Sequence, residues 1–298
     1  MTTSTADGPP GADRPRTADR LVREATARLA AAGVATARAD AELLLARALD
    51  APDDGADDRA DHRADHRADH RAGRDEPVRH GRADAARLAL LGAELPAPVA
   101  ARFEDLVGRR AHREPLQHLT GWAGFRSLDL RVGPGVFVPR PETEVVAGVA
   151  VDEVRRVAGE QGSCLVTDLC SGSGAIAFAV ASEVPRARVV AVELDQPAVR
   201  WARENLVRLD LGDRVELRHG DVRQAHRHVL RDLTGEVDVV VSNPPYIPPD
   251  AEPVDPEVRD HDPVLALYGG GAEGLAVPAA VVASAAHLLR PGGLLVME

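Results

Sequence analysis

The chain has 298 residues, a formal net charge of −11, 44% hydrophobic residues and only 3% aromatic ones. That length allows one large domain or two smaller ones with a sizeable core. The acidic balance argues against a surface that coats nucleic acid, no apolar run is long enough to span a bilayer, and Cys164 and Cys170 are too few for a disulfide framework.

The first residues, 1–16, are rich in Gly, Pro, Thr and Asp and read as disordered. They lack the apolar core of a signal peptide, so a reducing cytoplasm is expected. From Ala18 the pattern turns helical. Leu21, Val22, Ala25, Leu29 and Ala30 fall on one face, and Gly33 is a stop signal. A second helix follows over 40–49. Residues 53–82 then carry Arg-Ala-Asp-His three times and almost no apolar surface. His62, His66 and His70 recur every fourth position, as in some metal-binding tracts, but the composition favours an expanded low-complexity loop. Helical patterning resumes at 83–91 and 98–107. Residues 17–118 therefore read as a small helical domain interrupted by that loop.

Residues 119–140 read as a hairpin linker. The period drops to two through Phe125, Leu128, Leu130 and Val132, and Gly133-Pro134-Gly135 signals a turn. Arg140-Pro141-Glu142-Thr143-Glu144 then opens a helix with an acidic first turn, as the helix dipole favours. Arg140 and Glu142 are placed to pair there. From Cys164 strand and helix alternate. Strands are predicted at 164–169, 188–193, 215–218, 237–242 and from Gly293, and helices near 174–182, 197–209 and 276–289. Such alternation means an α/β fold, a mainly parallel sheet covered on both faces.

The chemistry-bearing residues gather where the strands end. Asp168-Leu169-Cys170-Ser171-Gly172-Ser173-Gly174 closes the first strand and opens a helix, so backbone N–H groups can approach a ligand. Glu193 ends the next strand, placed to accept from both hydroxyls of a ribose. Asp221 follows the third strand, placed to accept from an adenine amino group with Val222 against the ring face. Asn243-Pro244-Pro245-Tyr246 ends the fourth. The prolines force an extended exit, the Asn offers a carbonyl and an amide, and the Tyr offers a flat face. Together they suit a planar group bearing NH2. Two cofactors fit this set. Gly172-Ser173-Gly174-Ala175-Ile176-Ala177 matches the dinucleotide pattern, a weak signal by itself. An acid at three successive strand ends with Asn-Pro-Pro-Tyr on the fourth resembles the class I methyltransferases, which bind S-adenosylmethionine. Their first motif usually has a Gly where this chain has Cys170. A nucleophilic Cys170 has no assignable base, and a small packing residue is the simpler reading.

Further segments narrow the resemblance. Glu114-Pro115-Leu116-Gln117-His118-Leu119-Thr120-Gly121, Phe137-Val138-Pro139-Arg140-Pro141-Glu142-Thr143-Glu144, Glu257-Val258-Arg259, Ala266-Leu267-Tyr268-Gly269-Gly270 and Gly274-Leu275 closely resemble the HemK/PrmC family over residues 17–298, the repeat excepted. The resemblance implies a Rossmann-like methyltransferase domain over 141–298 and a substrate-recognition role for the helical domain. It implies methylation of the glutamine side-chain amide in the Gly-Gly-Gln motif of class 1 peptide chain release factors. The expected cofactor residues are Cys170, Ser171, Gly172, Ser173, Gly174, Glu193, Asp221, Val222 and Asn243. Asn243, Pro244, Pro245 and Tyr246 are expected to hold the substrate amide, with Asn243, Pro244 and Tyr246 in the chemistry. No metal, membrane or direct nucleic-acid contact is expected, and a monomer is. Sister families act on a ribosomal-protein glutamine or on an exocyclic amino group of a nucleic-acid base, and a nicotinamide-dependent oxidoreductase is the reading from the glycines alone. Family members continue past Glu298 with a further helix and an antiparallel strand pair, so the resemblance also implies a truncated sheet with an open edge.

Overall fold

A computed structural model describes residues 16–50 and 80–298. The chain forms two compact units, one ending at Leu116 and the other spanning Gln117–Glu298.

The first unit contains α1 (Ala18–Ala31), α2 (Ala37–Asp50), α3 (Arg82–Leu90) and α4 (Ala97–Ala111). Apolar residues at helical spacing turn inward: Leu21, Val22, Ala25 and Leu29 of α1 are buried, as are Leu44 and Leu45 of α2 and Phe103 of α4. A buried ion pair crosses this core. Arg110 of α4 donates through Nε to Asp40 of α2 at 2.8 Å, and through a terminal nitrogen to the Glu114 carbonyl at 3.0 Å. The repeat expected as a loop over 53–82 lies outside the described residues up to position 79. Its expected last residue, Arg82, instead opens α3 and donates to Glu42 at 2.8 Å.

A short α5 (Leu116–Thr120) leads into an antiparallel hairpin, β1 (Trp122–Phe125) and β2 (Leu128–Arg131). The period-two stretch is thus two strands rather than one. The chain reverses at Arg126-Ser127, where Arg126 takes a left-handed φ of 53°. No Gly, Asn or Asp marks that reversal, whereas the signalled turn at Gly133-Pro134-Gly135 forms just after the hairpin, with Val136 N–H bound to the Gly133 carbonyl at 3.4 Å. Instead Arg126 is fixed from outside, its N–H given to Glu144 at 2.9 Å and its guanidinium to Glu183.

The rest is layered α/β: α6 (Thr143–Gln161), β3 (Cys164–Leu169), α7 (Ala175–Glu183), β4 (Ala187–Glu193), α8 (Gln196–Arg208), β5 (Val215–His219), β6 (Val237–Ser242), α9 (Pro256–His261), α10 (Val264–Leu267), α11 (Ala276–Leu288) and β7 (Leu289–Met297). The five strands β3 to β7 run parallel in the order β5-β4-β3-β6-β7. Valines at both faces of β6 and β4 are buried, as a sheet covered on two sides requires. Asp238, the polar residue in β6, accepts from the Leu165 N–H at 2.7 Å and pairs with Arg290. β7 begins four residues before the predicted Gly293. Leu289 pairs with Val237 and Leu294 with Val239, so Pro291-Gly292-Gly293 is taken up in a bulge between the two pairings.

This order reverses direction after β3. The chain steps outward to β4 and β5, then returns to place β6 on the other side of β3. The crevice at the carboxyl ends of β3 and β6 is the switch point at which open α/β sheets bind ligands.

Candidate active site

The register puts Leu169 beside Ser242, so the two chain exits, Cys170 and Asn243, lie side by side. The Ser242 hydroxyl donates to the Leu169 carbonyl at 2.6 Å and locks the strand ends together. Over them opens a cavity of about 860 Å³ within the second unit. That volume suits a ligand of several hundred daltons. Every predicted site residue except Gly174 lines it: Cys170, Ser171, Gly172, Ser173, Glu193, Asp221, Val222, Asn243, Pro244, Pro245 and Tyr246.

The floor is the loop from Cys170 to Gly174. Cys170 has φ 63°, Gly172 57° and Gly174 86°. Cys170 thus occupies a left-handed position that glycine takes without cost. Burial pushes its thiol pKa far up, which argues against a thiolate nucleophile. A Cβ on Gly172 would meet nothing within 4 Å, so the loop is open toward the cavity there, whereas one on Gly174 would strike the Phe178 ring at 2.2 Å. Gly174 is therefore a packing position that lets α7 start tight against the sheet. Asn205 of α8 braces the loop from behind, donating to the carbonyls of Ser173 at 3.3 Å and Arg131 at 3.0 Å.

Two carboxylates rim the floor. Glu193 accepts three backbone N–H bonds, from Gly172 at 2.7 Å, Leu194 at 2.8 Å and Asp195 at 2.7 Å. Burial pushes its pKa up against the pull of those donors. A carboxylate has about four lone-pair sites, so about one remains for a ligand hydroxyl rather than the two expected. Asp221 is held by Arg223, which donates to both its oxygens at 2.6–2.9 Å and keeps its pKa down. An amino group arriving there must share this acceptor.

Asn243 leaves β6 with its amide nitrogen given to the Thr143 hydroxyl at 2.9 Å. Tyr246 is 49% exposed and lines the cavity. Its backbone is gripped by a glycine loop. Ile247 exchanges backbone bonds with Leu267 and Gly269, and a Cβ on Gly274 would sit 2.4 Å from the Tyr246 carbonyl. Arg140 does not pair with Glu142. It donates to Asp262 at 2.5 Å and lies over the Phe137 ring at 4.7 Å. Asp262 is buried, and its pKa is pushed up to about 6 by that burial against the Arg140 charge. Sequence reading missed Asp262 and the particular part of Thr143, because both contacts join segments about a hundred residues apart. It also missed that Ser171 Oγ and Asp168 Oδ1 are buried without a partner among the described residues.

A model of the methyltransferase small domain matches residues 155–254, and one of the PrmC N-terminal domain matches residues 81–121. The release factor glutamine methyltransferase of Bifidobacterium longum is 41% identical over 284 residues, covering 93% of this chain and 85% of that protein. The chain belongs to the release factor glutamine methyltransferase family. The family member from Streptomyces coelicolor is 55% identical over 199 residues, 66% of this chain and 67% of that protein. A 4-amino-L-phenylalanine/4-methylamino-L-phenylalanine methyltransferase of Streptomyces pristinaespiralis is 42% identical over 205 residues, 68% of this chain and 67% of that one. As a family member the chain is an enzyme, a methyltransferase with a Rossmann-like sheet. No described helix is long and apolar enough to cross a membrane.

Proposed function

We propose that the chain methylates the side-chain amide nitrogen of the glutamine in the Gly-Gly-Gln motif of class 1 peptide chain release factors, with S-adenosylmethionine as cofactor. The observation that carries this reading is the placement of Asn243 beside the glycine loop at the switch point of a sheet whose family acts on release factor glutamine. The match to the PrmC N-terminal domain supports a protein substrate over a small amine. The enzyme is read as a cytoplasmic monomer without direct nucleic-acid contact, in keeping with its −11 charge.

The residues present fit the cofactor. Ser171 Oγ is buried on the cavity wall without a partner among the described residues, Gly172 leaves open space above the loop, and Glu193, Asp221 and Val222 line the same cavity, offering the hydroxyl, amino and apolar partners that a nucleoside takes. When bound, S-adenosylmethionine supplies a methyl group on a sulfonium, a strong electrophile. The protein's share is position and polarisation. An amide nitrogen is a poor nucleophile because its lone pair is delocalised into the carbonyl. The Asn243 side-chain oxygen and the Pro244 carbonyl accept the two N–H bonds of the substrate amide. They aim its nitrogen into the cavity and stabilise positive charge that grows there. Tyr246 packs on the amide plane and Pro245 stiffens the turn. The N-methylated, protonated amide is strongly acidic, so water takes its proton and no protein base is required.

The test is transfer of labelled methyl from S-adenosylmethionine to a purified release factor and to the same factor with the Gly-Gly-Gln glutamine replaced. Label on the first alone is expected. Equal label on both refutes the glutamine assignment, and label on 4-amino-L-phenylalanine in preference to the factor favours a small-amine substrate.

A further inference from the structure

An asparagine amide has two chemically opposite ends, an acceptor oxygen and a donor NH2. The torsion that exchanges them is broad and roughly two-fold. With the donor end toward the substrate, Asn243 would face N–H with N–H. Something must hold the acceptor end outward.

The Asn243 NH2 points at Thr143 Oγ1, 2.9 Å away. Both residues line the cavity. Thr143 is only 5% exposed and is the first residue of α6, its own N–H bound to the Arg140 carbonyl at 3.2 Å. β-branching restricts χ1, and burial restricts the Thr143 side chain further. The contact is braced on both sides. Arg140, three residues before Thr143, is tied to Asp262, which follows Asn-Pro-Pro-Tyr in the chain. The segment entering α6 and the segment leaving β6 are thus pinned to each other around the pair.

We propose that Thr143 is the positioning residue for Asn243: its hydroxyl, accepting from the NH2 end, fixes the side-chain torsion in the orientation that leaves the carbonyl end for the substrate amide, a role that rests on the methyl-transfer reading above. Thr143 touches neither reacting atom in this role. Its loss lowers turnover through Asn243 and leaves cofactor and substrate binding nearly intact.

The test uses the full chain with Thr143→Val, which removes the hydroxyl at constant shape, and Thr143→Ser, which keeps it. Loss of one neutral hydrogen bond predicts a kcat roughly tenfold lower in Thr143→Val, with KM for S-adenosylmethionine and for release factor little changed and Thr143→Ser near wild type. In an Asn243→Ala background, Thr143→Val should cost nothing more. A second readout does not depend on the substrate. With asparagine ¹⁵N-labelled, the Asn243 NH2 protons should exchange slowly in wild type and Thr143→Ser and rapidly in Thr143→Val. Thr143→Ala carries the same measurements should the valine variant lose its fold. Unchanged Asn243 NH2 exchange on loss of the hydroxyl overturns the proposal, as does a Thr143→Val loss that persists in full without Asn243. Normal exchange behaviour in an enzyme that does not label release factor would overturn the substrate reading and leave the positioning role standing.

Discussion

Asp168 illustrates what a single residue beneath the site can impose on the whole fold. It is fully buried at the end of β3. One oxygen accepts the Ala177 N–H at 3.0 Å, and the other is buried without a partner among the described residues. Burial pushes its pKa from the usual 3.8 up to about 8. A raised folded-state pKa means that the native chain holds a proton the unfolded chain has released. The stability from that proton is full below pH 3.8 and is lost as the pH climbs toward about 8. Asp168→Asn stays neutral throughout. Its melting temperature relative to wild type should therefore rise steadily from pH 5 to pH 8, read by thermal melts of the ligand-free protein. A pH-independent difference would show that Asp168 is ionised in the fold. At this scale the sequence was legible where residues act as a contiguous motif. Asn243, Pro244 and Tyr246 stand at a strand end because prolines stop the strand, and that is a local rule. Thr143 and Asp262 obey no local rule. Their roles exist only once β6, α6 and the segment around α9 are brought together.

Among the elements, the glycine loop after α10 supports the motif from below. Gly269 lies so close to Gly274 that a Cβ would come within 1.8 Å of its carbonyl oxygen, and Gly274 has φ 74°. Its backbone fills the space beside Tyr246, so the loop acts as a clasp on the Asn-Pro-Pro-Tyr backbone. Left-handed φ alone costs a non-glycine residue at least about 1 kcal/mol, and the contact with the Tyr246 carbonyl adds to that. Gly274→Ala should lower the melting temperature by at least roughly 2–4 °C and reduce turnover, since Tyr246 must shift. Gly212→Ala, where a Cβ meets nothing, is the control. Equal behaviour of the two variants in melts and turnover would remove the clasp. Elements were legible wherever periodicity ran long, as in α1 and β6. They were misplaced where glycine and proline signals misled. Gly133-Pro134-Gly135 does turn the chain, Val136 N–H reaching the Gly133 carbonyl at 3.4 Å, but the hairpin itself closes earlier at Arg126-Ser127, and Gly293 suggested a strand start that lies at Leu289.

For the molecule as a whole, alternation of strand and helix predicted a parallel sheet, but not that β6 returns to the far side of β3. That reversal builds the crevice, and it depends on contacts distant in sequence. The low-complexity repeat has little apolar surface to bury. Its flanks close on each other directly, the Asp50 carboxylate accepting from the His80 N–H at 2.7 Å. Replacing residues 51–79 with a short Gly/Ser linker should leave melting temperature and turnover nearly unchanged. A loss of several degrees, or a metal-dependent shift in the intact protein, would give the repeat a structural or metal-binding role.

The most direct measurement of the central claim is single-turnover methyl transfer to a release factor by Asn243→Ala, paired with calorimetric titration of S-adenosylmethionine. One preorganised polar group at a reacting centre is worth roughly 100- to 1,000-fold in turnover. A loss of that size with cofactor affinity little changed is the predicted result. Near-normal turnover in Asn243→Ala would contradict the account, because the amide acceptor on which it is built would have no part in the reaction.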